Sequence, residues 1–393
     1  MTYTFTGAMP TAVATRIGTG AFTQATVASG KVSISVPSGT SNYSIAWVCP
    51  PISRPDLPVN DENVIHASVK DGTSFSWYCD DNGSNETSGT ATLQVDASAI
   101  SGGASVTATD GVGDNQASIA QIWSSGTLNL SGQMITGTYD VFVTVNDANF
   151  NILAVKILRD QTIPGTLNGG SPVVFTASDE TTTQTLTVSN IPSGFSPSDT
   201  FIAYETAELG NALSLNSPFL AQPNQYTAFP SSTIQSGDYY WFDAGANGVG
   251  NEYVGVHMDM SSNNPPAVTL PAPWAYTGPS PAVLPTFNID YSKFSGMADV
   301  VLQADIEWGN GTKTVNEIYP AYSIQISATA NYLNGATSIT VPDLSGLAGF
   351  IAPAPSGANV IWFANTEQGF PLLSSPTNGT MSIVEDAGLY IEP

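Results

Sequence analysis

The chain has 393 residues, 41% of them hydrophobic, which is enough for several ordinary cores and too many for a disordered polymer. Only 10% are charged, and 32 acidic against 8 basic residues leave a net charge of −24. That balance excludes nucleic acids and anionic membrane surfaces, which both need clustered Lys and Arg; the surface is instead built from Ser, Thr, Asn, Gln and Gly, as in secreted β proteins.

Met1–Phe5 has neither the basic nor the apolar segment of a secretory signal. Lys31–Val36 alternates apolar and polar residues, which predicts a strand with Val32, Ile34 and Val36 on one face. A second strand follows at Ile45–Val48, and a third, Phe75–Cys79, ends in a loop rich in oxygen donors. Cys49 and Cys79 are the only cysteines, and both sit in strand-like runs, so a disulfide between them is expected. Asp80, Asp81 and Asn82 open the donor-rich loop, and calcium is the ion that such hard oxygen ligands suit, although the spacing fails the EF-hand template. The Tyr139–Val145 segment is more continuously apolar, which suits a strand buried on both faces. Asn-Gly pairs beginning at Asn82, Asn168, Asn247, Asn310, Asn334 and Asn378 predict tight turns with positive φ. With 36 Gly and 27 Pro, no long amphipathic helix is expected. The most apolar stretch, residues 344–364, is broken by Pro353, Pro355 and Asn359 and does not read as a membrane span.

Similar segments recur at a steady interval. Ile45-Ala-Trp-Val48, Ile202-Ala-Tyr-Glu205 and Val360-Ile-Trp-Phe363 follow one another about 158 residues apart, each preceded by a V-S-I-S-V-like strand. Trp77 and Trp241, Leu128 and Phe287, and Val141 and Val300 keep nearly the same offset. The expected fold is therefore all-β, a tandem array of immunoglobulin-like sandwich modules. Its boundaries fall at 1–108, 109–165, 166–263, 264–320 and 321–393, the last module being shorter and incomplete. Linkers are expected near 101–114, 161–172 and the proline-rich 263–285.

The sequence has no nucleophile elbow, no zinc-protease motif, no C-x-x-C and no phosphate-binding loop. His66 and His257 lie in strand-like runs at non-equivalent repeat positions and read as polar strand residues. Carboxylate pairs such as Glu205 with Glu208, or Asp305 with Glu307, are the residue types glycoside hydrolysis uses, and the second pair falls on one strand face. Most aromatic residues recur at core positions. Trp123, Trp274 and Tyr276 stand in irregular surroundings and are the candidates for sugar contact. The expected protein is not an enzyme. It is an extracellular or cell-surface structural or adhesive protein that self-associates into a fibre or surface layer and has no cofactor other than calcium. Carbohydrate-binding modules and a virion fibre component are the alternatives.

Overall fold

The computed structural model describes all residues except 54–57, 73, 80–86, 111–116, 124, 199, 208–211, 216–223, 250–251, 262–266, 274–277, 289–299, 310–320, 369–379 and 392–393. Among the described residues the chain is almost entirely β, with 31 strands and one four-residue α-helix, Ala330–Leu333. Short strands punctuated by turns are what this Gly- and Pro-rich composition allows. Asn168 and Asn334 adopt the positive φ their Asn-Gly pairs predict, at 55° and 48°, whereas Asn247 ends the strand Tyr239–Asn247 without it, and Asn82, Asn310 and Asn378 lie outside the described residues.

One sheet of 14 strands runs through the molecule. Its strands come from three separate parts of the chain: 12–68, 196–260 and 300–391. The parallel pairing of Pro58–Ser68 with Tyr322–Thr329 joins the N-terminal part to the C-terminal part. Both ends of the principal strand order are short, Ala212–Ser214 at one and Thr23–Gln24 at the other. Among the described residues, little unpaired strand backbone is thus presented there to other chains.

Three cores are built on this frame. At the N-terminal end, strands Thr2–Gly7, Lys31–Ser33 and Ser74–Cys79 form a second layer over Asn42–Val48 and Pro58–Ser68. Tyr3, Phe5, Tyr43, Ile45, Trp47 and Ile65 fill the space between. The second core is a sandwich contiguous in sequence. Strands Ser105–Asp110, Ala117–Ile122, Gly137–Asn146 and Ile152–Ile163 face the Ser88–Asp96 and Thr127–Ile135 pair across Leu93, Val95, Val106, Val141, Val143 and Phe175. The third core lines the other face of the large sheet, where Phe242, Val256, Leu302, Ile306 and Ile326 meet Tyr226, Phe287 and Val341 from short covering strands and loops.

Position 108 lies inside Ser105–Asp110, and position 165 begins a short strand that pairs with Ser88–Asp96. The last strand, Thr380–Ile391, is paired along both edges. Thr380–Glu385 pairs with Tyr253–Met258 on one side, and Ser382–Ile391 with Asn359–Gln368 on the other. The repeated strands share local character but not partners. Trp77 lies in the three-stranded sheet and Trp241 in the large one. A strand's own residues set its alternation, while its neighbours are chosen by complementary edges that an offset match does not register.

Candidate functional site

Side chains alternate along the strands of the large sheet, so where a strand reaches the third core one face enters it and the other points away. On Val300–Trp308 the core-facing residues are Leu302, Ala304, Ile306 and Trp308, and the outward ones include Gln303, Asp305 and Glu307. Register places Asn365 and Ser327 on either side of Gln303, and Phe363 and Gln325 on either side of Asp305. The second row continues across the sheet through Asn63 to Trp47. Trp47 is fully buried beneath the N-terminal layer, whereas Gln325 is exposed and Phe363 retains 38% of its surface. The polar face therefore opens where that layer stops. There it forms a shallow cavity of about 290 Å³ lined by Gln303, Asp305, Gln325, Ser327, Phe363 and Asn365.

The electrostatics of this groove are specific. Its described lining has two glutamines, an asparagine and a serine around one carboxyl group, and no basic residue. Ser323 Oγ donates to Asp305 Oδ1 at 3.0 Å. Burial, reinforced by the negative charges of Glu307 and Asp61, nevertheless pushes the Asp305 carboxyl up to about 8. At neutral pH it is mostly a neutral acid that donates one hydrogen bond and accepts others. Asn365 Nδ2 donates to Gln303 Oε1 at 3.4 Å, which orients the two amides side by side.

No protein-family model matches the chain, and no curated protein does either.

The other predicted residues are dispersed. Cys49 and Cys79 are bonded and tie the N-terminal layer to the large sheet beside Trp47. Trp123 is half-buried against the second core, and its indole N–H donates to the Gly126 carbonyl at 3.0 Å. Asp80, Asp81, Asn82, Trp274, Tyr276 and Glu208 lie outside the described residues. Glu205 accepts a short hydrogen bond from the Tyr239 hydroxyl. His257 accepts from the Trp241 indole at Nδ1, and its Nε2 lies 3.1 Å from Asp259 Oδ1. His66 is buried and bonded to Ser44.

Of the groove residues, only Asp305 and its neighbour Glu307 stand out in the sequence, as an alternating carboxylate pair. Gln303, Gln325, Phe363 and Asn365 carry no motif. They converge only through the pairing of Val300–Trp308 with Tyr322–Thr329 on one side and Asn359–Gln368 on the other.

Proposed function

We propose that the chain is a structural or adhesive surface protein that contacts neutral glycans through the groove at Asp305. The observation that carries this reading is the lining: planar amides and a carboxyl group beside an exposed aromatic ring, with no cation among the described groove residues. Amide and carboxyl groups can each bond adjacent sugar hydroxyls, while Phe363 offers an apolar surface to a pyranose face. In this groove, with no described cation to offset it, an anionic ligand would meet the field of a chain with net charge −24. The long sheet supports the structural part of the reading, because it ties distant parts of the chain into one frame. An extracellular location fits the disulfide and the scarcity of charge. The finer fold reading, an immunoglobulin-like character, draws on the N-terminal core, where the buried Trp47 lies beside an inter-sheet disulfide.

Electrophoresis through gels containing soluble xylan, β-glucan or galactomannan tests glycan contact. Retardation by at least one of them, lost in Phe363→Ala and Gln325→Ala variants that remain folded, is the expected result. Unchanged mobility in all three gels would remove the glycan reading. Light scattering and electron microscopy of the same protein test self-association, with filaments or sheets expected and becoming more abundant as salt screens the net charge. A monomer at all salt concentrations would remove the fibre reading and leave glycan contact standing.

A second reading has one observation in its favour. Asp305 combines a raised pKa with a carboxylate two residues away on the same face, which is the raw material of glycoside hydrolysis. Release of reducing sugar from a polysaccharide that the groove retains, abolished in Asp305→Asn, would select this reading over simple adhesion.

A further inference from the structure

On the opposite face of the large sheet, at its N-terminal end, lies one of the eight basic residues. Arg16 belongs to Ala12–Ile17 and stands across from Ser44, which in turn stands across from His66. Its Nε and Nη2 donate to Ser44 Oγ at 3.3 and 3.1 Å, and Nη2 donates to the Tyr332 hydroxyl at 2.6 Å. His66 Nδ1 lies 2.7 Å from Ser44 Oγ and 3.1 Å from Nη2. The Phe22 ring sits 4.7 Å from the guanidinium carbon.

Every one of these partners is neutral. Burial, with the Arg16 charge adding to it, drives the pKa of His66 down to about 3, so the imidazole is uncharged. Lys156 and Arg159 form ion pairs with aspartates, but among the described residues no carboxylate lies within ion-pair distance of Arg16. A partly buried guanidinium without a counter-ion is costly, and more conspicuous in a chain with 32 acidic residues. The group borders a cavity of about 380 Å³ whose other walls include Ala336, Ser338, Thr340 and Pro342.

We infer that this cavity binds a small monoanionic carboxylate, with the Arg16 guanidinium as its counter-ion. The bonds to Ser44 and Tyr332 engage Nε and Nη2 and hold the planar fork in place, so the ordering cost of binding is already met before a ligand arrives. Among the described residues Nη1 makes no hydrogen bond, so its two N–H groups are left to donate to a carboxylate oxygen. Tyr332 accepts from Arg16 and keeps its own hydroxyl proton, which makes it a second donor for the ligand. The single net charge selects a monoanion, because the surrounding acidic chain disfavours a more highly charged one. The inference does not depend on the glycan groove, which lies on the other face.

Calorimetric titration of the full chain with sodium acetate and sodium glucuronate, at constant ionic strength, tests it. Saturable binding of at least one carboxylate is expected, with Arg16→Gln weakening it at least tenfold. Ala336→Trp fills the exposed mouth without removing any partner of Arg16 and should weaken binding equally, so the test stands even if Arg16→Gln does not fold. Absence of saturable binding to the parent protein, or binding undiminished in folded Ala336→Trp, would overturn the inference.

Discussion

Asp238 shows how a single buried carboxylate can hold two cores together. Its side chain is fully buried and accepts from Arg159 Nη1 and Nη2 at 3.0 and 2.6 Å, from the Tyr204 hydroxyl at 2.5 Å, and from the Ala207 and Gln235 amides. Arg159 also bonds Asp140 at 2.8 Å, so it links the sandwich of residues 88–175 to the third core. Burial alone would raise the Asp238 pKa, but the bonds from Arg159, Tyr204 and Gln235 outweigh it and hold the carboxyl below its ordinary range. Removing the cation strands two carboxylates, so Arg159→Ala should cost about 3–5 kcal/mol in urea unfolding. Glu62 behaves in the opposite sense. It is 1% exposed and accepts from the Ile351 amide at 2.9 Å, and burial pushes its carboxyl up to about 7 despite that bond. A group that holds its proton more tightly when folded contributes full stability below its unfolded value of 4.5, and that contribution is lost as pH rises through about 7. Glu62→Gln keeps the acceptor and removes the titration. The variant should match the parent at pH 4 and exceed it at pH 8, as read from denaturant midpoints across that range.

Individual strands were largely legible in the sequence, and their partners were not. Tyr139–Val145 was expected to be buried on both faces. Val141, Val143 and Val145 indeed enter the second core while Phe142 enters the third, where its ring meets Tyr204 edge-on. Val32 and Ile34 take the buried side that alternation assigned to them. The groove escaped notice because amides on a strand look like ordinary solvated positions until three strands align them. The Arg16 cluster escaped for a similar reason, since Arg16 and Tyr332 lie 316 residues apart. One element-level link does have a direct energetic consequence. The Cys49–Cys79 bridge closes a loop with a sequence separation of 30 and joins the N-terminal layer to the large sheet. On loop-closure entropy alone, replacing both cysteines with alanine should cost about 3–4 kcal/mol. Thermal unfolding with and without reductant checks this: the parent should lose stability on reduction, and the variant should not respond.

The molecule as a whole is defined by a sheet that belongs to no single segment. Pro58–Ser68 serves the N-terminal core on one face and contributes Val64 to the third core on the other. Neither core can lose that strand without disturbing its neighbour. Unfolding should therefore be one transition, with near-ultraviolet and far-ultraviolet circular dichroism coinciding; separated transitions would instead indicate independently folding beads. The same parallel pairing sets a timetable during synthesis. The edge of Pro58–Ser68 that receives Tyr322–Thr329 leaves the ribosome roughly 260 residues before its partner does. At about 5–20 residues per second, that edge stays unpaired for roughly 13–50 s. For that interval the nascent chain carries an open template beside an apolar strand, and the cell that makes this protein must keep it from pairing with the wrong neighbour.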